Sequence, residues 1–180
     1  MRADALRNIE RIRTAAAAAF AEHGLGAPLD DIARRAGVSA GTIYHRFGSR
    51  EGLIDAVVAD IAAEKLNGAI AAIAGDTPWQ RFTSYVMALG EAQAADPTFN
   101  EVVARRIPNA PALRAVNDRA VSHGEWLMRA AQADGTLRED AEAGDLDRLI
   151  WLNAQAVALG GDWWRRALGF FLDGLRRRPE

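Results

Sequence analysis

The chain has 180 residues, 49% of them apolar, no cysteine and a formal net charge of −2. This length suits one compact domain or a small head on a larger body, and the apolar share supplies a sizeable core. The lack of cysteine excludes disulfide scaffolds and cysteine metal sites. No apolar run approaches the roughly 20 residues that span a bilayer, and the alanines from Ala15 to Ala19 are too short for a signal peptide, so a soluble, cytoplasmic protein with no membrane partner is expected.

Ala, Leu, Arg and Glu dominate and no strand alternation is present, so the fold class is all-α, with about nine helices. The first helix is predicted from Asp4 to His23, with Ile9, Ile12, Ala16 and Phe20 on one buried stripe, and Gly24 and Gly26 ending it. A short helix starts at Leu29 after Pro28, carries Asp30 and Asp31 in its first turn, and stops at Gly37. A third runs from Ser39 or Ala40 to Phe47, with Ser39 as its N-cap. The fourth spans 49–74, a rod of about 37 Å at 1.5 Å per residue, and carries Gly68 in its interior. Further helices are expected over Trp79 to Ala95, Pro97 to Arg106, Pro111 to Ala133, Asp145 to Leu159 and Trp163 to Arg177, separated by prolines and glycines. The expected domains are a head over 1–48 and a helical body over 49–180, linked by the helix 49–74.

Charge is uneven. Met1 to Asp55 holds eight arginines against seven acids, the remainder fourteen basic against seventeen acidic residues. Ile32 to Arg50 carries Arg34, Arg35, Arg46 and Arg50 and no acid, a local excess of the kind that phosphate binding needs. The same segment reads physically as a helix-turn-helix. Ile32, Ala33 and Ala36 form the inner face of the first short helix, Gly37 permits the turn, Val38 plugs the angle, and Ile43 and Phe47 anchor the second. Ala40, Gly41, Thr42, Tyr44, His45 and Arg46 then populate its outer and flanking surfaces. Such a helix enters a major groove about 12 Å wide.

The string Ile32-Ala33…Ala36-Gly37-Val38-Ser39-Ala40-Gly41-Thr42-Ile43-Tyr44…Phe47…Arg50-Glu51…Leu53 resembles the signature of the TetR family of transcriptional regulators. The resemblance implies that Thr42 and Tyr44 contact phosphates, as does Arg50, which stands where the family usually has lysine. It assigns Ser39, Ala40, Gly41, His45 and Arg46 to base edges or further phosphates; Arg46 on a guanine edge is worth about 1–3 kcal/mol of discrimination. Two departures stand out: Pro28 replaces a common capping threonine, and Arg46 replaces a commoner aromatic or histidine. Arg2 and Arg7 read as solvated terminal arginines more readily than as a basic arm. Arg176, Arg177 and Arg178 read as a solvated helix end.

Leu146, Leu149, Ile150, Leu152, Ala156 and Leu159 stripe one of the last two helices; Leu168, Phe171, Leu172 and Leu175 stripe the other. These are read as a homodimer surface, which the resemblance implies to be a four-helix bundle, against the alternative of an internal core. Two heads about 34 Å apart would read a near-palindromic operator in successive major grooves. The resemblance also implies a pocket for a small apolar or aromatic effector in the middle helices. Trp79, Phe82, Val86, Met87, Phe99, Val103, Val116, His123, Trp126, Leu127, Trp151 and Asn153 are candidates, though each aromatic also reads as core.

The three histidines, His23, His45 and His123, fit no metal spacing, and no phosphate loop or nucleophile motif is present. The reading is therefore a non-enzymatic, ligand-responsive DNA-binding repressor with no cofactor and no metal. The alternatives are an architectural DNA binder without an effector, or an effector-dependent activator.

Overall fold

A computed structural model describes residues 2–177, with side chains described from residue 6. Arg178, and the side chain of Arg2, lie outside the described residues. Among these residues the chain forms α1 (Arg2–His23), α2 (Leu29–Ala36), α3 (Ala40–Phe47), α4 (Arg50–Ala71), α5 (Pro78–Ala95), α6 (Pro97–Arg105), α7 (Pro111–Ala133), α8 (Ala143–Ala158) and α9 (Trp163–Leu175). The only extended pairing among them is an isolated antiparallel bridge, Leu137 with Arg176, which ties the end of the chain to the turn after α7.

Local chemistry explains most of these boundaries. Gly37 closes α2 at φ 65°, a left-handed conformation that glycine adopts without a Cβ penalty. Ser39 and Ser49 cap α3 and α4 by accepting the N–H of Thr42 and Gly52. Thr77 and Gln80 form a reciprocal capping box around Pro78, and Asp96 caps α6 ahead of Pro97. Pro28 at the start of α2 makes no side-chain cap bond. The fourth helix stops at Ala71, short of the expected 74, because the Ser84 hydroxyl on α5 accepts the N–H of Ala74 and hydrogen-bonds its carbonyl, holding that residue in a loop.

Two apolar clusters hold these helices together. One joins α1 to α4 through Ile12, Ala16, Phe20, Ile32, Ala33, Ile43, Leu53 and Val58, and it continues past position 48 into Phe99, Val102 and Leu113 of α6 and α7. The other lies among α5, α7, α8 and α9 around Phe82, Tyr85, Leu127 and Trp164. Gly90 on α5 admits the Trp164 ring; a Cβ there would lie 2.7 Å from it. Gly68 of α4 faces open space, so close packing does not account for it.

Polar groups tie the elements of the first cluster together across long sequence separations. Helix α7 has no cap side chain of its own. The buried Asp55 carboxylate on α4 accepts the N–H of Ala112 at 3.2 Å and of Leu113 at 2.8 Å instead. Glu101 on α6 accepts the Leu25 N–H at 2.7 Å, across to the loop between α1 and α2.

Candidate nucleic-acid interface

Helix α3 is anchored by one face and open on the rest. Ile43 is buried and Phe47 half-buried, whereas Gly41, Tyr44, His45 and Arg46 are exposed, Tyr44 by 52%. Ser39 is exposed and Ala40 and Thr42 half-exposed; the Ser39 and Thr42 hydroxyls lie 2.9 Å apart within hydrogen-bond reach. The phenol, imidazole and guanidinium thus stand on one helix beside a glycine that keeps the backbone accessible. Among the described residues, Arg46 has no ion-pair or hydrogen-bond partner.

The other arginines of this segment are differently placed. Arg34 pairs with Asp31, and Arg35 forms a fork on Glu22 at 3.0 and 2.7 Å while also reaching Asp31 at 2.7 Å. Their charge is cancelled locally, and hydrogen bonding from Arg35 holds the Glu22 carboxyl below its usual range. The positive excess read from the sequence therefore narrows to Arg46 and Arg50. The Arg50 guanidinium points inward and donates to the carbonyls of Leu25 and Ala27, both at 2.8 Å, stapling the α1–α2 loop to the start of α4. Two of its five N–H groups are used in these bonds. Arg11 on α1 donates to the Ala36 carbonyl, capping the end of α2 beside the turn. Arg7 is exposed.

In the body, helices α4 to α8 surround a cavity of about 320 Å³. Of the residues singled out in the sequence, Phe99, Val103, Val116 and Trp151 line it. The others lie elsewhere, each for a visible reason. Phe82, Val86 and Leu127 fill the second cluster, against which Trp79 and Met87 pack. Asn153 is buried and donates to Gln93 at 2.6 Å. His123 is half-buried between the Tyr85 and Trp126 rings, and Trp126 is 62% exposed. Leu146, read from the sequence as part of the dimer stripe, is buried on the lining instead, and the sequence reading did not single out Leu66, Leu89, Arg106 or Arg114, since a cavity wall and a packed core share one periodicity.

The α8 and α9 residues divide by face. Leu149, Ala156, Leu168, Leu172 and Leu175 are buried in the chain's own core, while Leu152, Leu159 and Phe171 are exposed. Trp163 and Phe170, not singled out earlier, join these three as large exposed apolar side chains of α8, its C-cap Leu159 and α9. No helix among the described residues is long and apolar enough to cross a membrane. Arg177, expected to be solvated, pairs with Glu139 at 3.1 Å, and Arg176 lies over the Trp79 ring.

Residues 12–57 match the family model for bacterial regulatory proteins of the tetR family. Over 138 residues the chain is 29% identical to the HTH-type transcriptional regulatory protein RaaS of Mycobacterium tuberculosis, a match covering 77% of this chain and 63% of that protein's length. It is also 29% identical over 159 residues to the HTH-type transcriptional repressor KstR2 of Mycolicibacterium smegmatis, covering 81% of this chain and 77% of that one. A solved TetR transcription regulatory protein from Mycobacterium vanbaalenii is 31% identical, superposes with a TM-score of 0.51, and covers 98% of this chain and 99% of its own.

Proposed function

The chain belongs to the tetR family of bacterial regulatory proteins, and from that premise we propose that it is a homodimeric repressor whose grip on DNA answers to a small apolar or aromatic effector. The observation that carries the DNA part is the outward face of α3, with the exposed Tyr44 phenol, His45 and an unpaired Arg46 around Gly41, on a helix pinned by Ile43. Arg46 reads a guanine edge; Thr42 and Tyr44 position the backbone, with Ser39, Ala40, Gly41 and His45 adding contacts. Arg50 meets a phosphate with its remaining N–H groups while its staple holds the head together. Residues 1–48 act as the reading head and 49–180 as the effector-binding and dimerising body, with α4 between them.

The exposed Leu152, Leu159, Trp163, Phe170 and Phe171 support dimerisation, since large apolar side chains at one end of a chain gain by being covered. Two copies packed through α8 and α9 present two heads, which select an inverted repeat with half-sites about 34 Å apart. The open cavity favours a ligand-responsive regulator over an architectural binder with a filled body. Repression is the mode named for the KstR2 relative.

Coupling runs through two contacts adjacent in sequence to cavity-lining residues. Glu101 neighbours Val102 and Val103, which line the cavity, and holds the N–H of Leu25, whose carbonyl takes the Arg50 guanidinium. Asp55 on α4 holds the start of α7 beside the lining residue Leu113. An effector that prefers one arrangement of α6 and α7 therefore biases the position of α4 and both heads; only this differential affinity shifts the balance. The test is selection of bound sequences from random duplex DNA with the full chain. An inverted repeat is expected, and absence of enrichment at any salt concentration would sink the reading.

A further inference from the structure

We propose that the cavity selects amphipathic monocarboxylates, with the carboxylate held by Arg114 at the mouth and the hydrocarbon tail running to the floor at Leu66, Leu89 and Leu146. This rests on reading the cavity as the effector site and names the chemistry of what enters it. At about 320 Å³ the space suits one small or medium-sized molecule. Its walls are apolar except at Arg106, Arg114, Asn117 and Asp147.

These four are not equivalent. The Arg106 guanidinium lies 2.8 Å from the Asp147 carboxylate and 5.8 Å from the centre of the Trp151 ring, so that pair closes on itself in the cavity wall. Its two charges cancel, and neither is left to attract a ligand. Arg114 is exposed and, among the described residues, has no hydrogen-bond or ion-pair partner. Asp118, one turn further along α7 in the shallow recess beside the mouth, does not pair with it. The dipole of α7 adds nothing, because Asp55 already accepts the N–H groups of Ala112 and Leu113.

What remains is a single uncompensated guanidinium fork, with the Asn117 amide one turn from it, over an apolar shaft. A carboxylate matches the fork bidentately, and apolar walls beside it strengthen the attraction. A long-chain alcohol fills the shaft but gains only a neutral contact at the mouth. The corresponding amine meets a like charge there.

Three probes with one tail separate these terms: decanoate, decanol and decylamine, titrated calorimetrically against the full chain below their micelle-forming concentrations. Decanoate is expected to bind about tenfold more tightly than decanol, as a charge-assisted contact at an open mouth allows, with decylamine weakest. Added salt weakens decanoate and leaves decanol unchanged. Arg114→Gln brings decanoate to the affinity of decanol, with the melting temperature unchanged because the guanidinium has no partner to lose. Ala120→Leu, which takes volume from the shaft, weakens all three. Equal binding of acid and alcohol, or decanoate binding indifferent to Arg114→Gln, overturns the carboxylate assignment and leaves the cavity as an effector site. Binding of none of the three, or decanoate binding untouched by Ala120→Leu, overturns the cavity reading with it.

Discussion

The head and the body of this molecule solve packing in opposite ways. In the head, small side chains let short helices cross closely: Ala15, Ala16, Ala19, Ala33 and Ala36 are all buried, and charged groups such as Arg35, Glu22 and Asp31 pair outside the core. In the body, large side chains span wider gaps and polar groups enter the interior. Gln93 donates to the Ile150 carbonyl at 2.9 Å, Asn100 to that of Ala154 at 3.1 Å, and Tyr85 to that of Ala120 at 2.8 Å, so helix carbonyls serve as internal acceptors. Burial pushes the Tyr85 phenol pKa up, which keeps its donor proton in place. The first three helices cross on alanines and keep their charged groups outside. The body leaves room within itself.

The largest test of that contrast is Trp164→Ala. This ring is buried against Gly90 and bridges α9 to α5, where no alanine-lined crossing can close the gap. Its removal is expected to cost about 3–5 kcal/mol, read as a shift in the urea midpoint. A loss below about 1 kcal/mol would mean that the body collapses as readily as it packs, against the general cost of large cavities.

A sharper version enlarges one alanine in each region. Ala33 lies buried in the head, so Ala33→Leu is expected to cost about 1–3 kcal/mol through overpacking. Ala120 borders the cavity, and Ala120→Leu is expected to change stability by no more than about 1 kcal/mol, because space for the added carbons already exists. Paired denaturation curves measure both, and equal losses would refute the distinction.

This contrast also explains what was legible in the sequence. The head could be read because its determinants are adjacent: Gly37, Ser39, Ile43 and Phe47 fall within one short stretch, and each acts on its neighbours. Helix ends marked by proline or glycine could be read for the same reason. The end of α4 could not, because Ser84 on another helix sets it. Leu168 and Leu172 turn inward while Phe170 and Trp163 stay outside, a rotation that an apolar stripe does not disclose. Phe82 and Phe99 look alike in sequence, yet only Phe99 reaches the cavity, since the route of the α6–α7 connection decides where space is left. Asp55 was not read at all, because the N–H groups that its carboxylate accepts lie on a distant helix.

A smaller effect is expected at Ser39, where the cap and the proposed interface coincide. Ser39→Ala removes the acceptor for the Thr42 N–H and should cost about 1 kcal/mol of stability. It also frees the Thr42 hydroxyl, so affinity for a selected duplex should fall beyond the stability loss if that hydroxyl is positioned for phosphate. Unchanged duplex affinity at saturating folding would restrict Ser39 to capping.

The smallest effect lies on the outside of the head, at the Glu22–Arg35 fork. Hydrogen bonding from Arg35 lowers the folded-state pKa of Glu22, so the unfolded chain binds the proton first as pH falls from neutrality. The stabilisation is therefore complete above the unfolded glutamate value of about 4.3 and is lost as pH drops through the lower folded value. Both side chains are solvated, which keeps the effect small. Glu22→Gln should leave a melting profile that falls less between about pH 5 and pH 3 than that of the parent chain, with the two converging at the acid end. A parallel fall in both profiles would assign the acid sensitivity of the head to other carboxylates and leave the fork as geometry without energetic weight.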